Sequence, residues 1–141
     1  MLNILKEFMK YAVDRGMKFQ TISTSGIKTN DVILFVKDGL RFLFSYNESQ
    51  DPYFFQISLP YIDDYDNENN PEWQINCIRR LSLEYKTGKA LVHNDNHIWL
   101  TFEQYVYSDV NISKLFEQGI GCLESMIKDY REEQMNHRKI D

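Results

Sequence analysis

"VILFVKDGLRFLFSY", residues 32–46, holds two apolar runs on either side of Asp38-Gly39. An Asp-Gly pair suits a type I′ turn, whose twist matches that of the strands it joins. The stretch therefore predicts a β-hairpin, Val32–Val36 with Leu40–Tyr46. Working outward, Tyr53–Leu59 reads as a third strand, with Pro60 and the acidic residues after it as its end. Before the hairpin, a short extra strand is expected over Met17–Ile22, and "STSG", 23–26, reads as a loop.

Helices flank this sheet. Leu2, Leu5, Phe8, Met9 and Ala12 recur at helical spacing and make one apolar stripe. Gly16 suits the left-handed residue that ends such a helix. A second helix opens near Pro71, with Trp73, Cys77 and Leu81 four apart and Ile78 and Tyr85 beside them, and closes at Lys86-Thr87-Gly88. Strands Lys89–His93 and His97–Tyr107 follow, joined by Asn94-Asp95-Asn96. In the second of them Ile98, Leu100, Phe102 and Val106 face one way. His97, Trp99, Thr101, Glu103, Tyr105 and Tyr107 face the other. A last helix starts near Ile112, with Leu115, Phe116, Gly119, Leu123, Met126, Ile127 and Tyr130 as its stripe. Its glycines are read as allowing close approach to the sheet, and the polar tail from Arg131 is expected to fray. The expected class is α+β, an antiparallel sheet packed by helices in the order α-β-β-β(-β)-α-β-β-α, within a single domain, 1–141.

Composition narrows the function. The chain has 141 residues, enough to bury a real core. A formal net charge of -5 argues against a nucleic-acid partner, which needs clustered Lys and Arg. No stretch is apolar and long enough for a membrane span, and "MLNILKEFMKYAVDRG" mixes charges among its apolar residues, unlike a secretory leader. Two cysteines, Cys77 and Cys122, are too few for a disulfide scaffold and read as reduced, mostly buried thiols. A cytoplasmic protein without cofactor is expected.

Three constellations invite chemistry. "DDYDNENNPEW", residues 63–73, carries five carboxylates and three asparagines. Aligned on Asp64 as a calcium loop, it puts Asn69 where a glycine must turn and Ile75 where a bidentate Glu must bind. Asn70 as N-cap, Pro71 at N1 and Glu72 in the first turn explain its end better. Asp63–Glu68 remains as a solvated connector, or as an acidic surface for a basic enzyme. The hairpin "HNDNH", 93–97, would set His93 beside His97 near Asp95, a partial transition-metal set, but Asn-Asp-Asn is also ordinary turn chemistry. Nucleophilic catalysis has little support: the thiols sit on apolar helix faces, and "GIGC", 119–122, lacks the rest of a dinucleotide loop. The row Trp99, Tyr105 and Tyr107 is either a partner surface rich in hot-spot residues or a half-buried second face with cross-strand pairs.

The passages "INCIRRLSLEYKTGKALVHNDNHIWLTFEQYVY", 75–107, and "LFEQGIGCLESMI", 115–127, resemble the second half of the YbjN-like pattern. The element order is similar to the type III secretion chaperone-like fold that YbjN-like small bacterial proteins share. The strand at Met17–Ile22 departs from it. The resemblance implies a non-enzymatic protein-binding module, chaperone-like or regulatory, cytoplasmic and often a homodimer, that presents apolar patches to clients. It supplies no catalytic residues. Trp99, Tyr105 and Tyr107 are the expected partner-binding residues. The alternatives are a small acidic immunity or inhibitor protein and a metal-binding or hydrolytic protein.

Overall fold

Asp38 and Gly39 both take positive φ, 52° and 78°, and Lys37 stands opposite Leu40. That is the type I′ hairpin the Asp-Gly pair predicts. A computed structural model describes residues 3–22, 31–65, 72–107 and 111–138. Its elements are α1 (Ile4–Asp14), β1 (Lys18–Ile22), β2 (Asp31–Lys37), β3 (Leu40–Tyr46), β4 (Phe54–Asp64), α2 (Glu72–Glu84), β5 (Gly88–Val92), β6 (His97–Tyr105) and α3 (Ile112–Arg138). The six strands form one antiparallel sheet in the order β1-β2-β3-β4-β6-β5. The class and element order are those expected, the extra strand β1 included. The loop at 23–26 and the cap at Asn70 and Pro71 lie outside the described residues.

Period-two alternation sorts each strand's side chains onto two faces. Ile33 and Phe35 of β2, Phe42 and Phe44 of β3, Phe55 and Ile57 of β4, and Ile98, Leu100 and Phe102 of β6 are all buried. The helices lie over this face. Phe116 of α3 sits at its centre, with ring centroids 5.1 Å from Phe8, 5.1 Å from Phe55 and 6.0 Å from Phe44. Gly119 explains how α3 comes so near: a Cβ there would lie 2.6 Å from the Phe102 ring. No real side chain fits that gap, so the close approach needs glycine.

Three details differ from expectation. On α1 the buried residues are Ile4, Phe8, Tyr11 and Ala12, while Met9 is on the rim. The helix is turned so that Phe8 stacks on Phe44 at 4.1 Å and Tyr11 meets Phe116. Its caps do hold. Asn3 Oδ1 accepts from the Lys6 N–H, and Gly16 (φ 65°) closes it with Met17 N–H bonded to the Ala12 carbonyl. Strand β4 does not stop at Leu59 but runs on to Asp64. A bulge between Leu59 and Asp63 absorbs Pro60, which has no N–H to give the ladder, and Tyr61, whose φ is 56°. Finally, α3 stays helical to Arg138 instead of fraying at residue 131, because Tyr130 and Gln134 are buried partners of β4.

The β5 edge is covered at Ala90 from outside the sheet. Ser82 Oγ of α2 accepts from the Ala90 N–H at 3.0 Å and donates to the Ala90 carbonyl at 3.2 Å.

Candidate functional site: the open face of the sheet

No helix among the described residues lies on the second face of the sheet. Register places Leu34 opposite Leu43, Ser45 opposite Gln56, Gln56 opposite Glu103, and Phe54 opposite Tyr105 along this face. Ser58 and Thr101, opposite each other on this face, are buried. At one end four aromatics gather. Phe54 and Tyr105 pack at 4.9 Å, Tyr105 and Tyr107 lie nearly parallel at 6.5 Å (11°), and Tyr53 stacks on Tyr107 at 6.2 Å. Tyr53, Tyr105 and Tyr107 are each at least half exposed, at 50%, 51% and 65%.

Trp99 belongs elsewhere. Six residues before Tyr105 on β6, it lies roughly 20 Å away along the strand. It is half-buried, with His93 stacked on it at 4.1 Å and Tyr61 edge-on at 5.1 Å. The face thus brings Tyr105 and Tyr107 together and separates both from Trp99. Sequence reading missed Tyr53, Phe54 and Tyr61, because each joins its cluster only through the β4–β6 register. The one local signal was the aromatic pair beginning β4.

The His93–His97 hairpin does form, and its polar atoms converge on Asp95. Asp95 Oδ1 accepts from the His97 N–H at 3.0 Å and lies 3.6 Å and 3.4 Å from the Nδ1 atoms of His93 and His97. Desolvation opposes ionisation of Asp95. The His97 N–H, the two imidazoles and the Trp99 indole outweigh it, and hold the carboxyl below its ordinary pKa. His97 Nε2 faces Asp64 Oδ1 at 3.0 Å, so this imidazole ties the hairpin tip to the end of β4. Among the described residues no group of three or more His, Cys, Asp and Glu is placed to hold a metal ion.

The acidic stretch is corrected at Asp63. It is neither a solvated connector nor a free recognition charge. Its Oδ2 accepts from the Tyr130 hydroxyl at 2.5 Å, from Gln74 Nε2 at 3.0 Å and from Gln134 Nε2 at 2.9 Å. Gln74 Nε2 also reaches the Asp64 carbonyl at 2.9 Å. Tyr130, Gln74 and Gln134 are all buried, so one carboxylate clamps α2 and α3 to β4. The Asp64 side chain remains exposed beside His97. Residues 66–68 lie outside the described residues.

This clamp carries a pH signature. Burial first, and then the Asp63 carboxylate, raise the pKa of Tyr130, against the opposing donation from Gln74. The folded state therefore holds this proton more tightly than the unfolded chain does. Its contribution to stability is complete below the unfolded value of about 10 and is lost as pH rises beyond it. Above that pH, wild-type stability in urea is expected to fall by about 1.4 kcal/mol per pH unit for this proton. Burial raises Tyr11 as well, so the comparison with Tyr130→Phe isolates one group. The variant should show the shallower slope, and an identical slope would remove Tyr130 from the clamp.

Between α2 and α3 runs a groove of about 540 Å³, bordered by Trp73, Cys77, Arg80, Glu133 and His137. Arg80, Glu133 and His137 are already paired there. Arg80 makes two bonds to Asp129, at 2.7 Å and 3.2 Å, and reaches Glu84 and Glu133. Trp73 is covered by the His137 ring at 5.1 Å. Burial raises the Cys77 and Cys122 thiols above their ordinary pKa, which makes both poor nucleophiles. No helix of the described residues is long and apolar enough to cross a membrane. No family model, curated protein or solved structure matches the chain.

Proposed function

We propose that this chain is a non-enzymatic protein-binding module, chaperone-like or regulatory, that receives its partner on the helix-free face of the sheet. One observation carries the reading: Tyr53, Tyr105 and Tyr107 stand exposed and mutually packed on a face that no helix among the described residues covers. Tyrosine gives large contact area at small entropic cost and is enriched where binding energy concentrates. The ordered strands beneath hold the rings in place before any partner arrives, which lowers the cost of association. The element order also supports kinship with the chaperone-like fold, and two free thiols, Cys77 buried and Cys122 half-buried, suit a cytoplasmic setting.

The test is capture of partners from the native cell on the immobilised full chain, read by mass spectrometry. Tyr105→Ala/Tyr107→Ala should lose the captured partner, an effect of about tenfold or more in affinity. Exposed substitutions of this kind cost about 0.5 kcal/mol or less each, so melting should barely move. Undiminished capture by the double variant would sink the proposal.

A further inference from the structure

The tyrosine end of the open face carries carboxylates that make no ion pair among the described residues. The charges of Asp51 and Glu103 act on Tyr105, and those of Asp31, Glu48 and Asp51 act on Tyr46. Among the described residues no Lys, Arg or His lies within ion-pair distance of any of these four. The face does carry cations, but at other places. By register Arg41 stands opposite Val36, Lys18 opposite Val36 from the other side, and Lys89 opposite Thr101. The aromatic end is thus the acidic end.

Beside it lies a niche of about 110 Å³, lined by Ser45, Tyr46, Asn47, Asp51, Phe54 and Gln56. That is room for a few waters or one flat polar head group. Its chemistry is specific: a carboxylate at one wall, an aromatic ring at another, and polar side chains between. A guanidinium satisfies all of these at once. It stacks on an aromatic face, pairs with a carboxylate through two parallel N–H groups, and spends its remaining donors on neighbouring oxygens. An ammonium can use the charge alone.

We infer that the occupant of this face is an arginine-bearing segment of a protein partner, with one guanidinium seated between Asp51 and Phe54 and its flanking chain lying across Tyr53, Tyr105 and Tyr107. The inference rests on the protein-binding reading above and narrows it to a partner chemistry. The acids around the niche would also speed the encounter with a basic segment, and salt would slow it.

The experiment titrates the full chain with a short blocked Arg–Gly repeat peptide, with Lys–Gly and Glu–Gly repeats as comparators, by calorimetry. The Arg–Gly peptide is expected to bind about tenfold or more tightly than Lys–Gly, and Glu–Gly not at all. Asp51→Asn keeps the side chain's size and should weaken Arg–Gly binding by about tenfold, as expected for loss of a charge-assisted pair. Tyr105→Ala should weaken it comparably, and raised salt should weaken wild-type binding. Equal affinity for Arg–Gly and Lys–Gly, or an unchanged affinity in Asp51→Asn, would overturn the inference by reducing the attraction to net charge. If Arg–Gly fails to bind while Tyr105→Ala/Tyr107→Ala still abolishes partner capture, the arginine occupant falls and the protein-binding reading stands. If the peptide binds as expected while the double variant captures partners normally, the niche is real and the captured partner uses another surface.

Discussion

Asp63→Ala is expected to remove about 3 to 5 kcal/mol of stability, a large share of what a domain of this size has. The substitution deletes the acceptor shared by Tyr130, Gln74 and Gln134. Those three residues stay buried, so water does not replace the lost oxygen at low cost. Each stranded donor carries a penalty of about 1 to 3 kcal/mol, and partial relaxation keeps the sum below the maximum. Asp63→Asn keeps one acceptor oxygen and the volume, and should lose roughly half as much. Urea denaturation at neutral pH measures both. A loss below about 1 kcal/mol for the alanine variant would mean that the three donors find other partners, and that the clamp is incidental.

Phe116→Ala should cost about as much, 3 to 5 kcal/mol, and lower the melting temperature by roughly 10 to 15 °C. The Phe116 ring meets Phe8 at 87° and Phe55 at 71°, and it also touches Tyr11 and Phe44. It therefore joins α1, α3 and the middle of the sheet. Alanine leaves a cavity that four aromatic rings, themselves packed against one another, cannot close by small shifts. Phe116→Leu refills most of that space and should cost less than about 1.5 kcal/mol. A melt for the alanine variant within a few degrees of wild type would show that the rings collapse into the gap.

The two residues illustrate what the sequence could and could not reveal. Phe116 was legible, since it stands on the apolar stripe of α3 and a stripe points at a core. The Asp-Gly hairpin and the alternation in β6 were legible for the same reason, because turn chemistry and period two act over a few neighbouring residues. Asp63 was not. Its partners are 11, 67 and 71 residues away, and five acids within a short span look like a solvated loop until a fold brings buried donors to one of them. The continuation of β4 past Pro60 was hidden by a bulge that only the pairing with β6 reveals. The candidate site divided in the same way. Tyr105 and Tyr107 could be picked out as an outward row, whereas Tyr53, Phe54 and Asp51 joined them through a register set by the partner strand. Trp99, in the same row, was separated from them simply by strand length.

Ser82 has a consequence beyond the native sheet. It occupies both hydrogen-bonding groups of Ala90, so a foreign strand arriving at β5 finds its first docking point taken. Among the described residues β1, at the other margin, is paired on one side alone. A foreign strand arriving there, as in the elementary step of fibril growth, would meet the charge of exposed Lys18 in place of a hydrogen-bonded cover.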